Sequence, residues 1–322
     1  MSRYTGGKLP DYIKDTDLPL LGSSLPVVME DGNWTSVLVE FESQIQRGVD
    51  PYACVSYSAL TCLEMYAKVQ NIDINKADKY TAVMSGTIPN RGNSFRKVAE
   101  SIKRDWAVDE EVYPYTDNTV ESYYKPVPQA IIDIALKDKP NWRYFYRYPL
   151  TAQQIGQDTR TKEEVIVESL KYSPLQVSLK YPTKRPVRGV YEAEHGENHA
   201  VVLFNYSWGK WWEIFDSYDP LGNGGIKRLA WDYPIYGVMS HTLEQVSTNR
   251  DVILRDYKGK LIKNPDSPKV YHVDKMGEQI VWISDEYSFL FGFRNSFWGN
   301  WNDIITINLE IKEDFELTCR SV

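Results

Sequence analysis

The sequence predicts an α+β fold, with helices dominating the first half of the chain and strands the second. Three observations carry this. In ACVSYSALTCLEMYAKV (53–69), Ala59, Leu60, Leu63, Tyr66 and Ala67 recur at helical spacing. From Pro174 the pattern changes to alternation, first in LQVSLKY. The stretch NHAVVLFNYSWGKWWEIFDSY (198–218) sets two aromatic and β-branched runs around a Ser207-Trp208-Gly209 turn signal, the pattern of a hairpin.

Taken in order, residues 1–37 carry Gly6, Gly7, Pro10, Pro19, Gly22, Pro26 and Gly32. That is too much punctuation for a long element, so they read as an extended arm wrapped over the main domain. Such an arm carries the expectation that no N-terminal segment is cut away. Asp50-Pro51 is a turn and start signal for the 53–69 helix. A second helix is expected over 93–104, with Ser94 as its cap and Phe95, Val98 and Ile102 as its apolar stripe. VYPYTDN reads as extended, and shorter helices follow at 126–137 and 162–171. The strands are LQVSLKY, VRGVYEA, the two arms of the hairpin, and IKRLAW. Near residue 248 the texture shifts to short strands and turns, punctuated by YKGK, NPDSP and DKMGE, with an alternating strand DIITINLEI near the end. The expected organisation is an arm (1–37), a main domain (38–247) and a small β-rich appended module (248–322).

Composition narrows the classes. A chain of 322 residues with 23 Tyr and 10 Trp can bury a substantial core. A net charge of −7 argues mildly against nucleic acid as a partner. No window approaches the roughly 18 apolar residues of a membrane span. The start, MSRYTGGKLPDY, has no apolar h-region, which favours a cytoplasmic or virion-associated protein over a Sec-secreted one. Of the three cysteines, Cys54 and Cys62 fall on one helix about 12 Å apart, too far for a disulfide. Cys319 stands alone near the end, so no disulfide framework is expected. Four His and no CxxC spacing argue against a structural zinc site.

The hairpin proposes chemistry. A two- or four-residue loop around Ser207–Trp208 sets His199 directly opposite Asp216, where facing Cβ atoms lie roughly 4.5–5.5 Å apart. An imidazole held by a carboxylate is two thirds of a nucleophilic triad. Cys54, at a helix start whose N–H groups stabilise a thiolate, supplies the missing nucleophile. Cys62 lies mid-helix without those donors and reads as core. The order is Cys first and His roughly 145 residues later. That is the spacing of papain- and cathepsin-type enzymes.

Over roughly residues 38–240 the chain resembles the papain-like cysteine peptidases. ACVSYSAL stands where that family has its Cys and the following helix. SGTIPNRGNSFRKVAESIKRDWAVDEEVYPY resembles its glycine-containing cleft wall and helix, SPLQVSLKY its strand opening the β lobe, and RGVYEA with NHAVVLFNY the approach to its His. DSY replaces the family's Asn-Ser-Trp. The resemblance, to a phage or environmental bacterial type, implies a helical lobe and an antiparallel β lobe. It implies Cys54 as nucleophile, His199 as general base and acid, Asp216 as the orienting residue and Tyr218 as an aromatic lid. Asp216 replaces Asn as acceptor for His Nδ1–H, and an amide there would also orient the ring. The oxyanion-hole Gln is assigned to Gln44, with Gln46 as the alternative. The glycines of that loop are replaced by Pro51-Tyr52-Ala53. Gly92, Asn93 and Ser94 are expected to line the cleft, where a substrate backbone approaches closely. RNSFWGNW (294–301) also resembles Asn-Ser-Trp-Gly, but Asn295 lies beyond the expected boundary. Trp298 and Trp301 in it read as core or as an aromatic platform.

The implied function is a cysteine endopeptidase acting on polypeptide, with no cofactor and no metal. One alternative is a weak or inactive papain-fold subunit of a larger assembly, such as a virion or cell-surface complex, contacting other subunits through the arm and the appended module. Another is a cell-wall peptidase or amidase.

Overall fold

The computed structural model describes residues 7–23, 25–219, 224–246, 260–263, 270–273, 280–283 and 305–306. The chain divides into two compact units, Met1–Glu244 and Gln245–Val322. The first contains both the arm and the main domain.

Helix α1 (Cys54–Lys68) is the pillar of the first unit. Among its buried residues are Val55, Ala59, Leu60, Cys62, Leu63 and Met65, so it is covered on most faces. Its stripe packs on α2 (Asp78–Met84) and α3 (Phe95–Asp105). Ser94 caps α3 as expected, accepting the Lys97 N–H at 3.4 Å. Asp50 does not cap α1. The residue before that helix is Ala53, without a side-chain cap, and Asp50 accepts the Tyr52 N–H at 2.8 Å instead. Short α4 (Val120–Tyr123), α5 (Gln129–Asp138), α6 (Ala152–Ile155) and α7 (Lys162–Leu170) complete the described helices.

Seven strands form one sheet: β1 (Trp142–Arg147), β2 (Leu175–Leu179), β3 (Val190–Tyr191), β4 (His199–Ser207), β5 (Trp211–Phe215), β6 (Ile226–Ala230) and β7 (Ile235–Gln245), in the order β1-β7-β2-β4-β5-β6-β3. The sheet is mixed rather than antiparallel throughout, because β3 runs parallel to β6 at its edge. β2 is buried at every position, as a central strand covered on both faces must be. Leu175, Val177, Leu179, Val201, Leu203, Trp212 and Ile214 make the main core with Met65 of α1.

The hairpin forms, with a different register. Ser207 pairs with Trp211, so the loop is Trp208, Gly209 and Lys210, with Gly209 left-handed at φ +68°. An irregularity between Leu203 and Asn205 then shifts the pairing so that Val202 faces Phe215. An odd-numbered loop and a bulge carry Asp216 away from the position directly opposite His199.

In the second unit the described strands β8 (Leu261–Lys263), β9 (Val270–Val273), β10 (Ile280–Ile283) and β11 (Ile305–Thr306) form a sheet ordered β10-β9-β8-β11. β11 is parallel to β8 and the other pairs are antiparallel. Asn295, Trp298, Trp301 and Cys319 lie outside the described residues. No helix among the described residues is long and apolar enough to cross a membrane.

The arm is stitched to the first unit by backbone and side chain. Leu20 and Leu21 donate to the carbonyls of Tyr148 and Pro149, and the Asp17 carboxylate pairs with Arg96 at 2.6 Å. Trp34 is fully buried; its indole N–H donates to the Leu170 carbonyl at 2.7 Å and its ring stacks on Tyr66. Trp34→Ala is expected to cost about 3–5 kcal/mol of stability, from the cavity and the orphaned carbonyl. Chemical denaturation followed by far-UV circular dichroism checks this. A loss under about 1 kcal/mol would mean the arm's end is not part of the core.

Candidate active site

Three elements bring the expected residues together. Cys54 is the first residue of α1, His199 the first of β4, and Asp216 directly follows β5. The His199 Nε2 lies 2.7 Å from Asp216 Oδ1. With Phe215 opposite Val202, Asp216 is level with Val201, and the imidazole reaches it diagonally across the ladder. The ring nitrogen bound to the carboxylate is therefore Nε2, not the Nδ1 expected from the sequence. Cys54 is the other group that acts on the same ring, raising the imidazole's pKa together with Asp216.

Asp216 has a partner that the sequence reading missed. Lys227 Nζ lies 2.6 Å from Asp216 Oδ2 and also donates to the Tyr218 carbonyl at 2.6 Å. The Tyr218 N–H donates to Asp216 Oδ1 at 2.9 Å. Two cationic groups and an amide thus hold one fully buried carboxylate. The signal was present in IKRLA, where Lys227 and Leu229 share the inward face of β6 between exposed Ile226 and Arg228. Asp216→Asn is consequently not the conservative change expected from ring orientation alone, because it leaves Lys227 buried without its counter-charge.

The electrostatics follow. Burial opposes a charged His199, yet the Asp216 charge and hydrogen bond, with Cys54, raise it to about 9. For Asp216, burial pushes upward, but His199 and Lys227 bring it down to about 2. Cys62 is also fully buried, and burial followed by the nearby Glu64 pushes its thiol well above the usual range. That fits the expected core role.

Gln44 is completely buried beside this group. Its amide donates to Asp50 Oδ1 at 3.0 Å, its carbonyl oxygen accepts from Ser217 Oγ at 2.9 Å, and its backbone N–H bonds the Ser217 carbonyl. One amide N–H stays unassigned by these contacts. Gln46 closes a tight turn with Val49, through Arg47 and Gly48 at positive φ. Tyr52, two residues before Cys54, takes φ +59°. The missing glycine's conformation is thus adopted by a tyrosine and held by the Asp50 side chain at a cost of roughly 1–2 kcal/mol.

Below Cys54 runs a buried polar chain. Ser58 Oγ donates to the Cys54 carbonyl at 2.7 Å, and Gln176 Nε2 donates to Ser58 Oγ and the Val55 carbonyl, both at 2.8 Å. Gln176 Oε1 then accepts from His241 Nε2 at 3.0 Å, which leaves His241 Nδ1 to accept from the Tyr144 hydroxyl at 2.7 Å. Burial lowers His241 to about 3, so it is the neutral imidazole this chain requires. It braces the start of α1.

The aromatic cover is double. Tyr218 and Tyr181 both meet the His199 ring edge-on, at centroid distances of 6.3 and 5.4 Å, and contact each other at 4.8 Å. Tyr181 was not anticipated.

Cys54, His199 and Asp216 are each 0% exposed. At Cys54 the arm contributes to this burial. A Cβ placed on Gly7 would lie 3.2 Å from Cys54 Sγ and 2.5 Å from the Tyr52 carbonyl oxygen. Asn93 N–H donates to the Gly7 carbonyl (2.9 Å), Leu9 N–H to the Asn93 carbonyl (2.7 Å) and Lys8 N–H to the Asn198 carbonyl (3.3 Å). Gly92, at φ +77°, leaves room: a Cβ there would overlap the Gly7 carbonyl. Gly92 and Asn93 therefore meet a polypeptide backbone, that of the chain's own arm, while Ser94 serves as a helix cap. A separate cavity of about 430 Å³ is lined by residues including Phe95, Tyr148, Ile166 and Val238 and by none of the Cys-His-Asp group.

No family model matches the chain, and no curated protein matches it in sequence. Solved structures do. Xylellain, a cysteine protease from Xylella fastidiosa, aligns with TM-score 0.50 at 12% identity over 76% of this chain and 97% of its own. The digestive procathepsin L2 proteinase of Tenebrio molitor larval midgut aligns with TM-score 0.50 at 16% identity, covering 74% and 78%. Both likenesses are of fold. The chain has the α+β fold of the papain-like cysteine proteases.

The paired shifts fix a pH signature. His199 lies above its unfolded value of 6.5, so its contribution to stability is complete below about 6.5 and is lost as pH rises through about 9. Asp216 lies below 3.8, so its contribution is complete above that value and is lost as pH falls through about 2. The His199 ring signals in NMR should titrate near 9, and in folded Asp216→Asn at or below the ordinary histidine range. A native His199 titrating near 6.5 would contradict the ion pair.

Proposed function

We propose that this chain is a cysteine endopeptidase acting on polypeptide. The reading rests above all on one observation: a buried imidazole, His199, is held by a buried carboxylate at 2.7 Å and is coupled electrostatically to Cys54, the first residue of a helix, in a papain-like fold.

In this reading the Cys54–His199 pair reacts as thiolate and imidazolium. Cys54 Sγ attacks the peptide carbonyl carbon, forming a C–S bond while the carbonyl electron pair moves to oxygen. That oxyanion is received by the Cys54 N–H, which has no intrahelical acceptor at the first position of α1, and by the second amide N–H of Gln44. The electron pair returns, the C–N bond breaks, and His199 gives its proton to the leaving amine. Neutral His199 then takes a proton from water as it attacks the thioester, and the C–S bond breaks to restore the ion pair. Asp216, fixed by Lys227, keeps Nε2 as the donor throughout. Tyr181 and Tyr218 shield the pair from water. No step calls for a cofactor.

One observation favours the alternative of a binding subunit: the thiol is completely buried, with Gly7 of the arm packed against it. The peptidase reading therefore requires the arm to leave. Gly7→Val cannot keep the seated arm, because the added carbons meet the Tyr52 carbonyl. Full-length Gly7→Val should hydrolyse denatured polypeptide and react with a thiol-directed epoxide at Cys54 but not at Cys62. Cys54→Ala or His199→Ala in that background should each lower kcat/KM by about a thousandfold or more. Hydrolysis that survives Cys54→Ala, or none in Gly7→Val despite an accessible thiol, would leave only the fold.

A further inference from the structure

Among the described residues, the arm crosses the site by backbone contacts at Gly7 and Leu9 and places the Lys8 side chain there. Lys8 is a lysine buried almost completely, with 1% of its side chain exposed. A lysine is rarely buried unless its charge is met. Here Nζ lies 3.1 Å from Glu197 Oε1 and 3.7 Å from Asp11 Oδ2, and it also donates to the Leu9 carbonyl. It stands 4.6 Å over the centre of the Phe95 ring.

These contacts divide by origin. Asp11 and the Leu9 carbonyl belong to the arm and leave with it. Glu197 and Phe95 belong to the domain and stay. Glu197 is also held in place: Ser178 Oγ donates to its Oε1 at 2.7 Å, and the Gly237 N–H fixes Ser178 Oγ at 2.6 Å. A Cβ on Gly237 would lie 2.7 Å from Ser178 Oγ, so glycine there keeps the Ser178 brace intact. Glu197 lies two residues before His199, on the segment whose Asn198 carbonyl takes the Lys8 N–H. A fixed carboxylate behind an aromatic wall, one residue along from the thiol, is complementary to a basic side chain.

We propose that the Lys8 pocket is a substrate-recognition site for a lysine or arginine side chain, with Glu197 as the specificity-determining residue, and that the arm holds the site by presenting the same chemistry. This rests on the peptidase reading for the word substrate, but not for the binding. Glu197 is a recognition residue and takes no part in proton transfer. Its charge meets an incoming polypeptide at the position next to the one that lies on Cys54.

The test uses the full chain and reads the thiol rather than turnover. Lys8→Glu sets like charge against Glu197 and Asp11, so iodoacetamide should label Cys54 about tenfold faster or more than in the native chain. Adding Glu197→Lys should restore protection. In Lys8→Glu, an arm peptide carrying Lys at the eighth position should protect Cys54 at about one tenth the concentration of its norleucine analogue. In Lys8→Glu with Glu197→Lys released by Gly7→Val, the preference should pass to a Glu-bearing peptide. The proposal is overturned if Lys8→Glu leaves labelling unchanged, if the two peptides protect equally, or if changing Glu197 leaves their order the same. Charge-dependent protection without peptide hydrolysis would keep the pocket and discard the peptidase; hydrolysis indifferent to charge would do the reverse.

Discussion

The Asp216 carboxylate is the constraint around which the site is built. It has no solvent exposure, and removing a carboxylate from water costs several kcal/mol unless its lone pairs are met. Here His199 Nε2, Lys227 Nζ and the Tyr218 N–H meet them. Each partner fixes a different piece of chain. His199 ties the start of β4, and Lys227 ties β6, which pairs with β5 through Ile214↔Lys227. The Tyr218 contact turns the chain after β5, and Ser217, inside that turn, holds Gln44. One buried charge thus links three strands and the loop leading to α1. Removing either cation would leave the other facing a carboxylate too strongly basic for its surroundings.

Much of this was legible from residue type and spacing. Cys54 at a helix start, His199 at a strand start and Asp216 after the facing strand stand out because each combines a reactive group with a defined local element. Their order along the chain carries the fold as well. The register was not legible. Whether the hairpin loop holds two, three or four residues is decided by Gly209 at φ +68° and by packing that places an irregularity near Phe204, neither of which periodicity reports. Lys227 was readable in principle, as a lysine on the apolar side of an alternating strand. Tyr181, Gln176 and His241 were not, since their roles come from contacts between elements far apart in sequence.

Ordinary sequence cues also misplace strain. The loop before α1 lacks the glycine expected there, which suggests a changed geometry. The structure keeps the left-handed turn and places it on Tyr52, with Asp50 as the brace. Asp50 thereby serves two ends, because the same Oδ1 takes the Gln44 amide. A single carboxyl oxygen couples the turn that aims Cys54 to the side chain assigned to the oxyanion.

The arm brings the same economy to the mouth of the site. Most of its hold on the cleft is through backbone: Gly7 to Asn93, Leu9 to Asn93, Lys8 to Asn198. Such bonds are indifferent to side chain, so any extended polypeptide that fits could make them. Among the described residues, two features separate the arm from a generic chain. Gly7 must lack a side chain where it lies against Tyr52 and Cys54, and Lys8 must carry a charge where Glu197 waits. The first is a steric requirement and the second an electrostatic one, and they fall on adjacent residues. Among the described residues, the steric and the electrostatic contact beside Cys54 thus fall on two neighbouring positions of the arm, while the backbone bonds around them are indifferent to side chain.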